Sequence, residues 1–203
     1  MRSFTDEERK IIKQKIIDQG KDCFARYGIK KTGIDDLTDG LGIATSSFYS
    51  FFNSKEDLFL HIFKEEREAL SGSILENSFL KYRKEPDKAI RAYLKYVLQI
   101  VDKHPIWRKV FIEGEHLELT INRFSRDDIK NIHRENLAII LPFFEEWAEA
   151  GFLIDKPTKI LAETTQAILF LIHFKKEIGG DNFQEVMGIF IDMMAENLVK
   201  KNA

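Results

Sequence analysis

Cysteine is nearly absent from this chain: Cys23 is the only one in 203 residues. A single thiol excludes an intrachain disulfide and any zinc cluster built on several cysteines, and it suits a reducing compartment. It reads as a small buried apolar residue on the first helix. Proline and glycine are scarce too, at four and eleven, which argues against a turn-rich β-sandwich and against a disordered chain. No uninterrupted apolar run approaches the roughly eighteen residues that a membrane span requires. The N-terminal MRSFTDEERK has no apolar stretch of the kind a secretion signal carries, so the expected location is the cytoplasm. Net charge is −2, and composition therefore announces neither an acidic nor a basic partner. Reactive constellations are missing as well. Histidines 61, 104, 116, 133 and 173 show no H-x-x-x-H spacing and no glycine-rich phosphate loop appears, so no metal and no cofactor is expected. Glu113 and Glu115 flank Gly114, but residues two apart on a helix diverge, so they do not form an acid–base pair.

What the chain does have is apolar residues, 44% of the total, spaced as amphipathic helices. It is organised around residues 32–58, TGIDDLTDGLGIATSSFYSFFNSKEDL. After Thr32 as a cap, Ile34, Leu37 and Leu41 recur at spacings of three and four. Gly42 then supplies the conformational freedom of a turn. A second piece, roughly Ala44 to Phe52, carries Phe48, Phe51 and Phe52 on one side and Thr45, Ser46, Ser47 and Ser50 on the other. Ser54, with Asp57 three residues on, reads as the N-cap of the next helix. A helix, a glycine turn and a helix with a small polar outer face make a helix-turn-helix pattern, whose second helix is shaped for the DNA major groove. Residues 1–60 hold ten Lys/Arg and ten Asp/Glu, so attraction to DNA must come from local placement. Asp35, Asp36 and Asp39 suit a helix N-terminus, and most of them are expected to face away from a duplex.

Gly28, Thr32, Ile34, Leu37, Gly42-Ile43, Phe48-Tyr49 and the run Phe52-x-x-Lys55-Glu56-x-Leu58 together resemble the N-terminal domain of the TetR/AcrR family of bacterial transcriptional regulators, over about Ile16 to Leu60. The resemblance implies an all-α protein: an N-terminal three-helix helix-turn-helix DNA-binding domain, residues 1–54, and a C-terminal helical ligand-binding and dimerisation domain, residues 55–203. Helix 55–71 would be the connector, with Leu58 and Phe59 packing on the DNA-binding unit. The implied partners are a double-stranded, near-palindromic operator, a small largely apolar effector and a second copy of the chain, in a repressor that is not an enzyme. The expected DNA contacts are Lys30, Lys31, Thr32, Thr45, Ser46, Ser47, Tyr49, Ser50 and Lys55, with Tyr49 and Lys55 at phosphates by resemblance. Gly20 stands where the family usually has alanine, which points to close packing, and glycine or a basic residue is commoner there than Ser46 or Thr45. A recognition face of hydroxyls pairs loosely with any base, leaving a share of specificity to DNA shape.

Beyond residue 72 the chain becomes aromatic-rich. Helices are expected over about 73–82, 86–103, 105–119, 126–150, 157–178 and 182–201, with prolines 86, 105 and 157 in first turns. Tyr93, Tyr96, Trp107, Phe111, Phe143, Trp147 and Phe170, with polar Glu113, His116, Gln166 and His173, are the expected effector-pocket residues. Ile168, Leu169, Ile172, Val186, Met187, Phe190 and Met194 are the expected dimer interface, because a last helix this apolar needs cover on more than one side. Two other readings stay open: a helical protein–protein adaptor, and a small-molecule carrier or enzyme using the aromatic region.

Overall fold

The protein is all-α. The computed structural model describes residues 5–112, 126–175 and 177–200; the side chains of 110, 126–130, 132 and 173 lie outside that description. In chain order the helices are α1 (Asp6–Lys31), α2 (Ile34–Thr38), α3 (Lys55–Glu76), α4 (Pro86–Lys103), α5 (Pro105–Phe111), α6 (Arg126–Glu149), α7 (Thr158–Ala167) and α8 (Phe183–Leu198). Short 3-10 segments lie at Thr45–Ser50, Ile168–Phe174 and Gly180–Asn182. The chain divides into two compact units, Met1–Ala69 with His104–Leu119, and Leu70–Lys103 with Thr120–Ala203.

In the first unit, α1 begins with a reciprocal cap. The Glu8 amide donates to Thr5 Oγ1 at 3.2 Å and the Thr5 amide donates to the Glu8 carboxylate at 2.8 Å. Ile16, Ile17, Cys23 and Phe24 form its buried stripe, whereas Tyr27 is exposed. Gly28 breaks the helix, at φ +76°, a conformation open to glycine without strain, but one more turn follows to Lys31. Gly20 marks the closest approach of α1 to α3: a methyl there would sit 2.9 Å from both Leu58 Cδ2 and Ile62 Cδ1. Phe24 meets Phe59 edge-on at 5.3 Å, and Phe63 packs on Trp107 of α5 at 5.5 Å. These contacts carry the first unit past residue 54 through α3 to Ala69 and bring α5 into it.

The second unit is built on rings and one buried helix. Phe79, in the turns after α3, is fully buried among Tyr93, Phe143, Phe144 and Trp147, with centroids 5.0–6.3 Å away. The Trp147 indole N–H donates to the Arg83 carbonyl at 2.6 Å, so its polar edge is satisfied while the ring is dry. Arg83 also clasps Glu146 through two nitrogens. That bond holds the Glu146 carboxyl below its usual range and pushes Arg83 up. Arg91 of α4 reaches Asp192 and Glu196 of α8. Two expected helices are redrawn. Residues 73–76 belong to α3, and 77–84 are turns. The helix expected over 157–178 ends at Ala167 and tightens into the 3-10 segment.

Gly20→Ala gains the better helix former but must push two walled-in methyl groups aside, which costs about 1–3 kcal/mol. The expected net result is a loss of about 1 kcal/mol, read as a lower midpoint in urea unfolding at unchanged m-value.

Candidate nucleic-acid interface

The helix-turn-helix pattern is present, in a tightened form. α2 is capped by Gly33, whose amide donates to Asp36 Oδ2 at 2.7 Å. The chain then turns through Gly42 at φ +71° into the segment Thr45–Ser50, a 3-10 helix where an α-helix to Phe52 was expected. Six residues at three per turn cannot hold themselves, and the surroundings do it. Phe48 and Phe52 are buried beneath the segment. From α1, an Arg9 guanidinium nitrogen donates to the Ser50 carbonyl at 3.0 Å, and the same group lies over the Phe51 ring. Lys13, one turn on, lies over Phe52. These two cationic supports were missed by sequence reasoning; their signal was two basic residues four apart on one face of α1.

The outward side is what the sequence indicated. Thr45, Ser46 and Ser50 are exposed and Ser47 is half-buried. Tyr49 is 59% exposed, its ring edge-on to Phe48 at 5.6 Å, so the apolar partner holds the ring while the hydroxyl end is free to reach. Lys30 and Lys31 are exposed at the end of α1. Ser54 caps α3 as expected, accepting from the Asp57 amide at 3.2 Å.

Two expectations are corrected. Thr32 does not cap α2 or offer its hydroxyl to a phosphate: it is 1% exposed, and its hydroxyl donates to the Gly28 carbonyl at 2.7 Å, closing α1. The extra turn of α1 after Gly28 moves it there. Lys55 is turned inward, donating to the carbonyls of Thr32 at 2.7 Å and Lys30 at 3.3 Å, because the last carbonyls of a helix attract a cation. Asp35 lies against the recognition segment, its carboxylate accepting the Thr45 hydroxyl at 2.8 Å.

This geometry lies within a stretch known from other proteins. Residues 16–62 match the family described as bacterial regulatory proteins, tetR family. The HTH-type transcriptional repressor AcnR of Corynebacterium glutamicum is 23% identical over 171 residues, covering 79% of this chain and 89% of that protein. The N-terminal domain, over residues 16–62, is of the TetR family. The fold of the chain is shared along the whole length. A TetR-family transcriptional regulator from Pectobacterium atrosepticum superposes with a TM-score of 0.77 at 15% identity, covering 98% of this chain and 99% of that one. The regulator RolR, solved with resorcinol, gives 0.65 at 17% identity, covering 98% and 100%. TetR-family proteins are DNA-binding transcriptional regulators and not enzymes.

Within this chain, the expected pocket residues scatter. Tyr93, Phe143 and Trp147 belong to the packed cluster around Phe79. Tyr96 and Phe111 are half-buried. Trp107 and Gln166 are buried at 7% and 4%, and among the described residues the Trp107 Nε1 and Gln166 Nε2 donors have no hydrogen-bond partner. Phe170 is corrected to a surface residue, 50% exposed: with Phe174, four residues on, it lies away from buried Ile168 and Ile172. Glu113 and His116 lie outside the described residues, as does the side chain of His173. Of the expected interface, Ile168, Ile172 and Met187 are corrected to core residues of their own unit. Leu169, Val186 and Met194 are half-buried, and Phe190 is exposed. Ile189 and Met193, on the Phe190 face of α8, are exposed as well, as are Phe174 and Ile160. Among the described residues no helix is long and apolar enough to cross a membrane.

Lys55→Ala should remove charge-assisted bonds to two carbonyls, worth about 1–2 kcal/mol. Chemical denaturation is expected to show that loss, and Lys31→Ala, on an exposed side chain, is expected to leave the midpoint where it was.

Proposed function

We propose that this chain is a dimeric TetR-family repressor that lays Thr45–Ser50 into the major groove of a near-palindromic operator and leaves it when a small effector binds. The single observation that supports DNA reading best is the clamped segment itself. Its backbone is held from behind by Arg9, Lys13 and Phe48, and its free side presents four hydroxyl-bearing residues and the Tyr49 ring. Tyr49 and the exposed Lys31 would take phosphates, which position the segment, and Thr45, Ser46 and Ser50 would meet base edges. Lys55 and Thr32 would act indirectly, by fixing the end of α1.

The dimer rests on α8. One face, with Phe183, Met187, Ile191 and Ala195, is buried in its own unit. The opposite face, with Ile189, Phe190 and Met193, is exposed. Each such side chain gains about 1.5–3 kcal/mol when fully covered, and a second copy related by a two-fold axis would cover both sets at once. That symmetry would also put two recognition segments on one face of the duplex.

For the effector, the supporting observation is Gln166 Nε2 in the second unit, a buried donor with no partner among the described residues. Such a group costs about 1–3 kcal/mol and calls for an explanation. An amide NH2 can only donate, so the effector would carry an oxygen acceptor on an apolar or aromatic frame. A fold neighbour was solved with such a molecule, resorcinol. Helix α3 carries residues of both units and would transmit the change; effector and operator must then weaken each other equally.

Two outcomes are expected. In fluorescence anisotropy on duplexes from the chain's own upstream region, binding should survive unrelated competitor DNA and fall steeply with salt, and Tyr49→Phe should weaken it about tenfold. Equal affinity for unrelated DNA would sink the operator reading. Gln166→Leu, which removes the orphan donor, should raise the melting temperature of the free protein while weakening binding of resorcinol or a related phenol by calorimetry about 3- to 10-fold. A variant that is less stable and binds as before would remove Gln166 from the effector site.

A further inference from the structure

The bond between Thr45 and Asp35 carries more than local order. Thr45 opens the recognition segment and is exposed; Asp35, in the first turn of α2, is exposed as well. The hydroxyl donates to Asp35 Oδ1 at 2.8 Å. A threonine hydroxyl has one proton and two lone pairs. With that proton committed to the carboxylate, what Thr45 shows to the outside is acceptor only. The carboxylate is acceptor-only too, and among the described residues no bond occupies its second oxygen, Oδ2. The neighbouring acid behaves differently: Asp36 turns its Oδ2 back onto the Gly33 amide and is used up in capping α2.

We infer that Asp35, acting with Thr45, is a specificity-determining residue that selects bases bearing an exocyclic amine, cytosine or adenine, at one position of each half-site. The inference rests on the major-groove placement proposed above. In that groove cytosine N4 and adenine N6 are the donors, whereas guanine O6 and N7 and thymine O4 are acceptors. An acceptor-only pair hydrogen-bonds the first set and meets the second with lone pair against lone pair, at a site that has also left water. Discrimination therefore comes from repulsion as much as from attraction. A lone threonine would not discriminate in this way, since its hydroxyl could turn to donate to guanine or thymine. The same carboxylate also opposes phosphate everywhere along the duplex, so it lowers affinity for unrelated DNA.

The experiment is selection of duplexes by the full-length protein from a randomised double-stranded library, followed by anisotropy on single duplexes that differ at one base pair. Three variants join the wild type. Asp35→Asn can still accept the Thr45 proton on its amide oxygen, but it presents an N–H donor where the free carboxylate oxygen stood. Asp35→Ala frees the hydroxyl, and Thr45→Val removes it. Thermal unfolding of each variant confirms that the unit is intact. The wild type should recover a half-site with one position held to cytosine or adenine. At that position Asp35→Asn should shift preference toward guanine or thymine by about tenfold, the scale of one good base contact. Thr45→Val should relax the same position, and Asp35→Ala should both relax it and tighten binding to unrelated DNA. Folded variants that return the wild-type preference at every position would overturn the role of Asp35. A wild type that enriches no sequence at all would instead overturn the DNA-reading proposal on which this one stands.

Discussion

The close approach of α1 and α3 at Gly20 is the constraint on which the first unit depends. With no side chain at that position, Leu58 and Ile62 come against the α1 backbone, and α3 is set at a fixed distance. From that crossing the rest follows in both directions. Toward the C-terminal end of α1, Lys55 at the start of α3 reaches the Lys30 and Thr32 carbonyls. Toward the N-terminal end, Arg9 and Lys13 reach the far side of the recognition segment. The end of α1 and the recognition segment are thus each held by cations that belong to another helix. Two of the positive charges that a reader would assign to DNA are spent on holding the backbone that meets it.

The second unit is stabilised by a different means. Phe79 sits among four rings, and the Trp147 N–H at their edge is taken by the Arg83 carbonyl. Against that satisfied cluster, the unpartnered Gln166 in the same unit stands out. Rings alone are weak evidence for a cavity, because packed aromatic cores and effector pockets have the same composition. An orphan donor is the stronger sign, since nothing in core packing calls for it.

Much of this was legible in the sequence. The glycine turn at Gly42, the Ser54 cap, the starts of α4 and α5 at prolines and the outward hydroxyls of the recognition segment all follow from local chemistry, which the chain carries at the position where it acts. What was not legible depends on neighbours. Thr32 reads equally well as the cap of the helix after it or the closure of the helix before it, and only the extra turn of α1 decides. Lys55 is at a helix start in the sequence, where a solvated or phosphate-bound cation is the natural reading, yet carbonyls 23 and 25 residues earlier claim it. Phe79 gave no periodic signal because it lies in turns. On α8, apolar residues run round the helix, and no pattern within it tells which face meets α4; hence Met187, expected at an interface, is buried, while Ile189 is exposed.

The shortness of the recognition segment has a genetic consequence. A six-residue 3-10 turn has no order of its own and takes its shape from Arg9, Lys13 and Phe48. Substitutions that never approach DNA can therefore abolish repression as completely as those that touch it. In a screen for derepressed alleles, lesions should be scattered along α1 and the first turns of α3, with few among the serines, each of which contributes little alone. A map of such alleles would outline the scaffold rather than the contact surface.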